Sequence, residues 1–282
     1  MKIAVVTDSG CGFSKKQMEN QGIYYLPLQV VDQAETYFDG IDKTIEEILD
    51  MVDEGKMLKT SLTPLGIIEE LFEQLKEEGY DHAIVVPISS GLSSMSQSVK
   101  VAAEEVGLEV SVIETYTTYF IQRYIAESAK RLVDEGVGLN EIVARLNDSI
   151  AHSNTLIVPD NLEQLKRGGR LTPLAAALAG MLKIKPILML NDKSLGKVDT
   201  FAKIRTMSKA LSTAVAQAKE AGIDENYMLA IAHTNSPALA EQLKALYFDA
   251  YPNNDTYEGL LSAVIAVHTG IGCVGLQYIK KV

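Results

Sequence analysis

The chain has 282 residues, 47% hydrophobic and 22% charged, and its 37 acidic residues outnumber 26 basic ones for a net charge of −11. That balance excludes intrinsic disorder, and the length suffices for two modest domains with a buried core. The acidic total argues against nucleic acid as a partner, because phosphate binding needs a dominant basic footprint.

Ile3–Thr7 opens the chain as a short apolar strand ending at Asp8, too short and too early interrupted to be a signal peptide. Further strands are predicted at Tyr24–Val31, Ala83–Ile88 and Val110–Ile113. Between them, helical patterns run over Thr44–Asp53, Leu65–Glu78, Ser93–Glu105 and Thr118–Glu135. This alternation implies an α/β fold whose N-terminal sheet is mostly parallel with flanking helices, and such sheets bind ligands at the carboxyl ends of their strands. Three hydroxyl-rich segments stand at these turns: Asp8-Ser9-Gly10, Lys59-Thr60-Ser61-Leu62-Thr63-Pro64, and Ser89-Ser90-Gly91-Leu92-Ser93-Ser94. Any one serine reads as a helix cap, and Pro64 suits a first helical turn. Their clustering reads as a polar pocket.

A helix over Leu139–Ser149 closes the first half, and the boundary is placed near residue 152, giving an α/β domain over 1–152 and a smaller α+β domain over 153–282. The second half is expected to hold strands at Thr155–Val158, Lys185–Leu190, Gly196–Ala202 and Met228–Ala232. Helices are expected at Pro173–Leu182, Thr206–Ala221 and Pro237–Leu246. Gly259–Ile279 has no charged residue and approaches membrane-spanning length. Its glycines at 259, 270, 272 and 275 favour two buried strands joined by a glycine turn instead. Without an export signal or a transmembrane segment the expected location is cytoplasmic. Cys11 and Cys273 are then reduced thiols, and four scattered histidines lack metal-ligand spacing, so neither metal nor cofactor is expected.

Catalytic signatures are absent: there is no phosphate-binding glycine loop, dinucleotide fingerprint or nucleophile elbow. A Ser90 or Ser93 pair with His268 could serve a hydrolase, but no orienting acid is evident. The segment 159–186 is distinctive. Lys166, Arg167, Arg170, Lys183 and Lys185 face only Asp160 and Glu163, a local charge of +3 (five minus two) in an acidic chain. Lys166 and Arg167 before Gly168-Gly169 fit a helix C-terminus. Arg170, beyond the glycines, reads as an anion or partner contact. The uncharged run Leu171–Leu182, with Ala176 at its centre, reads as core or as the wall of a narrow apolar channel. His268, beside Gly270-Ile271-Gly272, is either satisfied core or a ligand neighbour.

In order along the chain, Thr7-Asp8-Ser9, Lys59-Thr60-Ser61, Ser89-Ser90-Gly91-Leu92-Ser93, Asn161–Arg170, Lys183–Leu188, Arg205 and His268–Gly272 resemble the DegV family of fatty-acid-binding proteins. The resemblance implies an acyl tunnel between the two domains with a fatty acid as ligand. The carboxylate would be held by Ser61 or Thr60, by Ser93 and the Ser93–Ser94 amides, with His268 nearby. Asp8, Ser9, Gly91, Leu92, Gly169, Ala176 and Ile271 would line or adjoin the tunnel. Arg170, with Lys166, Arg167 and Arg205, would meet an anion or a fatty acid kinase subunit that phosphorylates the bound acid. The chain would then be a substrate-presenting binder and no enzyme itself; an acyl carrier or sensor without a kinase is the alternative. Transient contact with a membrane is compatible with that role. Departures from the family pattern fall at Leu62-Thr63-Pro64, Ser94-Met95, Ile271 and the aromatic loop Glu114–Tyr119, and they bear on acyl length and ligand class.

Overall fold

A computed structural model describes residues 1–33, 35–160, 162–179 and 184–282. Asn161 and Gly180–Lys183, which belong to the basic segment and to the end of the small-residue helix expected from the sequence, lie outside the described residues.

The chain begins with β1 (Ile3–Asp8), α1 (Lys15–Glu19), β2 (Tyr24–Leu26), β3 (Gln29–Val31), β4 (Thr36–Phe38), α2 (Ile45–Asp53) and β5 (Lys59–Ser61). It continues through α3 (Leu65–Glu77), β6 (His82–Val86), α4 (Met95–Val106), β7 (Glu109–Val112), α5 (Phe120–Asp134) and α6 (Leu139–Ala151). Four of these strands form an all-parallel sheet in the order β2-β1-β6-β7. Side chains alternate across it. Val5, Ile84 and Val86 pack with Ile121, Ile125 and Leu132 of α5 and with Leu146 of α6, whereas Ala4, Val6, Ala83 and Val85 pack with Phe72 of α3 and Val99 of α4. Helices therefore cover both faces. Ser14 and Thr44 start α1 and α2 with reciprocal capping boxes to Gln17 and Glu47.

The single strand expected over Tyr24–Val31 is two. Pro27 lacks an N–H for the ladder, and the chain leaves the parallel sheet after Leu26. It re-pairs as β3 at the centre of a small antiparallel sheet, β4-β3-β5. Lys59-Thr60-Ser61 is accordingly the edge strand β5, not a loop, and Pro64 caps α3 instead of occupying its first turn.

The remaining elements are β8 (Ser153–Val158), α7 (Glu163–Gly168), α8 (Pro173–Ala176), β9 (Lys185–Leu190), β10 (Asp199–Ile204), α9 (Met207–Glu220), β11 (Tyr227–His233), α10 (Pro237–Ala250), β12 (Thr256–Leu260), α11 (Ala263–Thr269) and β13 (Val274–Lys280). They build a six-stranded mixed sheet, β10-β9-β8-β13-β11-β12. Leu156, Val158, Val274 and Leu276 point to α9 and α10 on one face. Ala230, Ala232 and Ile279, on the opposite face, share a core with β1 and α5. The change of sheet falls at β8, yet the hydrophobic core runs across it.

Two expectations require correction here. The segment Gly259–Ile279 is not a strand pair: helix α11 separates β12 from β13, and His268 sits in the last turn of that helix. Period-2 and period-3.6 patterns cannot be told apart in a run that is apolar on every side. Tertiary burial of Ala263, Val264 and Val267, with α2 and α7 packed against the helix, decides it. The helix expected over Pro173–Leu182 is described as helical only over Pro173–Ala176, with a turn at residues 177–179.

Candidate functional site

The carboxyl ends of β1 and β6 meet at Asp8. Its buried carboxylate accepts hydrogen bonds from Gly10 N at 2.9 Å, Ile88 N at 2.8 Å and Gln122 Nε2 at 2.8 Å. Burial pushes its pKa up to about 6, and the three donors restrain that rise. The neighbouring Ser9 Oγ accepts from Leu28 N at 3.1 Å. Ser9 borders a separate pocket beside Asp39 and Ser262, and neither residue lines the cavity that Ile88 and Leu28, which they hold, help to wall.

That cavity, of about 280 Å³, lies between the strand ends of the parallel sheet and the inner face of the six-stranded sheet. Apolar groups make up most of its wall: Leu28, Ile88 and Leu92 from the first half, Leu165, Ile157, Leu190 and Val198 from the second, and Val264 and Ile265 from α11. Polar groups gather where β5, the loop before α4 and α11 converge: Thr60, Ser61, Ser93, Ser94, Arg170 and His268. An apolar enclosure with a few convergent polar groups is the general form of a site for an amphipathic small molecule.

At the polar end, Thr60 Oγ1 and His268 Nε2 share a hydrogen bond of 2.7 Å. Gly168 closes in on the other ring nitrogen so tightly that a Cβ there would stand 2.4 Å from Nδ1. Burial, with the Arg170 guanidinium adding to it, pushes His268 down to about 4, so the ring is neutral at neutral pH. Arg170 is itself tied down: Nε donates to Leu92 O at 3.3 Å and Nη1 donates to Gly168 O. Thr60, Arg170 and His268 also border a second, outer groove of about 400 Å³ formed with Met57, Leu58, Gln164, Arg167 and Gly168. These three side chains thus partition an inner apolar chamber from an outer surface.

Other residues singled out in the sequence stand elsewhere. Gly91 does not border the cavity: its Cα lies against the backbone of Gly196, where a Cβ would come within 2.3 Å, and Ser89 Oγ bonds Gly196 O at 3.2 Å. This glycine seals the two halves together, while its neighbour Leu92 forms cavity wall. Gly169 takes the left-handed conformation (φ 70°) that caps α7, and Lys166 and Arg167 occupy the exposed last turn of that helix. Ala176 and Ile271 are half-buried outside the cavity wall, and Arg205 is exposed between β10 and α9. Sequence reading missed Thr118, Ile157, Leu190, Val198, Val264 and Ile265. They look like ordinary core residues, and only the packing of two sheets shows that they enclose a space.

His268 does not have the surroundings of a hydrolase base. Its Nε2 is engaged by Thr60, its Nδ1 abuts Gly168, and no carboxylate bonds the ring among the described residues. Among those residues there is also no cluster of three His, Cys, Asp or Glu side chains able to hold a metal ion, and no helix long and apolar enough to cross a membrane.

Comparison with known proteins bears on the family and the fold. The sequence model described as "Uncharacterised protein, DegV family COG1307" matches residues 2–281. A DegV domain-containing protein of Streptococcus pneumoniae is 32% identical over the whole of both chains. Among solved structures, a fatty acid binding DegV family protein from Streptococcus agalactiae superposes with a TM-score of 0.91 at 30% identity, covering both chains completely. DegV, a fatty acid binding protein from Bacillus subtilis, does so at 0.89 and 30%, again over both whole chains. With a family match spanning nearly every residue and the same fold from end to end, this chain belongs to the DegV family.

Proposed function

We propose that the protein binds one long-chain fatty acid, tail in the inner chamber and carboxylate at Ser61, Thr60, Ser93 and His268, and offers that carboxylate to a separate fatty acid kinase. The observation that carries this reading is the make-up of the cavity wall: hydroxyls, a neutral histidine and one arginine where β5, the loop before α4 and α11 converge, and mostly aliphatic side chains elsewhere, Thr118 and Thr269 excepted. The fatty acid binding proteins that share 30% identity over the whole chain support it.

The energetics fit such a ligand. A carboxylate leaves water at high cost unless donors replace its hydration. Hydroxyls of Ser61 and Ser93 and amides at the start of α4 can donate, each bond to a charged group contributing about 1.5–3 kcal/mol. About fifteen methylenes at ~0.8 kcal/mol each supply roughly 12 kcal/mol gross, offset by association costs of about 4–15 kcal/mol. The tail therefore sets affinity and the polar end sets orientation.

Arg170, Thr60 and His268 border both the chamber and the outer groove, so a carboxylate held there is one side chain away from a partner's surface. Exposed Lys166 and Arg167 flank that groove and suit an acidic or phosphate-bearing partner. The chain has no nucleotide-binding loop of its own, so ATP chemistry belongs to the kinase subunit. The protein would work in the cytoplasm and load at a membrane surface, conditions that suit its two free, buried thiols.

Native mass spectrometry of the purified protein, followed by organic extraction, tests the central claim. One fatty acid per chain is the expected result. A chain that arrives empty and, after delipidation, takes up no member of a saturated series from lauric to arachidic acid overturns it. Acyl-phosphate formation on adding a fatty acid kinase and ATP tests the presentation step, and its absence with lipid-loaded protein removes that step alone.

A further inference from the structure

One stretch of the chamber wall, where β8 meets the loop after β7, is built differently from the rest. On β8, Thr155 and Ile157 share a face because side chains repeat every two residues. Opposite them on β13 stand Gln277 and Gly275. Ile157 lines the chamber, and beside it Gly275 contributes no side chain; a Cβ there would meet only the Leu156 and Ala232 carbonyl oxygens, at 3.7 and 3.9 Å. Two residues along the strands, about 6.6 Å further, the character changes. Gln277 Nε2 donates to Thr155 Oγ1 at 2.8 Å and to Thr118 O at 2.8 Å, and the Thr117 and Thr155 hydroxyls bond each other at 2.6 Å. Thr118, which lines the chamber, donates its own hydroxyl to Gly10 O at 2.9 Å. All four residues are at least 94% buried.

We propose, on the basis of the fatty-acid reading above, that this hydrogen-bonded plate of Thr117, Thr118, Thr155 and Gln277 is the floor on which the acyl tail ends, and that it sets the longest acid the protein accepts. A floor of leucines could swing to new rotamers and admit a longer tail with little penalty. This plate cannot, because displacing any member strands a buried donor or acceptor, and a connected network resists as a unit. The plate joins the loop after β7 to the two central strands of the other sheet, so yielding would also separate the two halves. The acid-length profile should therefore climb with each methylene and then fall steeply, with no gradual plateau.

The test uses the whole, delipidated chain and a saturated series from lauric to arachidic acid, with affinities compared across wild type, Gly275→Val and Gln277→Ala. Gly275→Val fills the open space beside Ile157 and should weaken the longest acid bound by wild type about tenfold, the scale of overpacking a closed site, while sparing shorter acids. Gln277→Ala removes the centre of the plate and should move the cutoff toward longer acids. Gly275→Ala, whose Cβ makes only ordinary contacts, preserves the fold and should give a smaller shift in the same direction as Val. A wild type that binds acids with a steep cutoff, left unmoved by all three variants, overturns the floor and leaves the carrier reading intact. A wild type that binds none of the series overturns both.

Discussion

Gly168→Ala isolates the geometry of His268. The ideal Cβ would lie 2.4 Å from Nδ1, whereas ordinary contacts begin near 3.4 Å, so the ring must shift by about 1 Å. Its Nε2 bond to Thr60 is 2.7 Å long and survives no such shift: approach brings the atoms into overlap and retreat passes the hydrogen-bond limit. Losing that bond costs about 0.5–1.5 kcal/mol, and an off-rotamer ring adds about 0.5–1.5 kcal/mol. Together they cost about 1–3 kcal/mol of stability, and the displaced ring should also weaken fatty acid binding measurably. Gly169→Ala is the internal control. Nothing lies within 4 Å of its Cβ, but φ is +70°, so it should lose about 1–2 kcal/mol of stability through backbone strain and leave His268 in place. The assay combines ligand affinity, thermal unfolding and titration of the His268 ring by NMR. In Gly168→Ala the ring, pushed from its buried pocket, should titrate above its folded value of about 4 and toward 6.5. Equal affinities and an unmoved His268 titration in the two variants would refute the claim that Gly168 sets the histidine.

Ser93→Ala should lower fatty acid affinity by roughly tenfold or more, the worth of one bond to a carboxylate; unchanged affinity in isothermal titration would show the head group lies elsewhere. Asp8→Ala leaves the buried Gly10 and Ile88 amides without their acceptor, so chemical denaturation should show a loss of about 2 kcal/mol or more, and a neutral result would contradict the fastening role. Because His268 is held below its unfolded value, the unfolded chain binds more protons between pH 4 and 6.5. Its contribution to stability therefore rises with pH through that window and is complete above it. His268→Gln should flatten that rise relative to wild type. Asp8, raised to about 6, works in the opposite sense and loses stability as pH climbs from 3.8 to about 6. On the proposed presentation role, Lys166→Ala with Arg167→Ala should slow phosphotransfer by an added fatty acid kinase at constant lipid affinity; a loss of both together would place the pair in the lipid site.

The local physics of alternation and capping made the parallel half readable. β1 and β6 are short apolar runs and the helices α3, α4 and α5 carry a 3.6-residue period, and the hydroxyl-rich segments Thr60-Ser61 and Ser93-Ser94 announced a polar pocket and do line one cavity. Where pattern is silent, reading failed. Pro27 split one apparent strand between two sheets, and α11 hid in a run too uniformly apolar to show a period. Gly91, expected to line or adjoin the tunnel, stands next to the wall residue Leu92 and makes a contact between backbones more than one hundred positions apart, which no local pattern announces.

The sequence by itself determined strands β1, β6 and β7 and the cluster of basic residues around α7, since each rests on neighbours within a turn or a strand. Tertiary structure alone decided which apolar residues pack as core and which enclose a space. Ile157 and Leu156 are indistinguishable by chemistry, and adjacent strand positions face opposite ways only once the sheet has a side. It also decided that Thr117, Thr155 and Gln277, separated by up to 160 positions, meet in one hydrogen-bonded plate, because long-range register is set by the packing of whole sheets and not by any local preference.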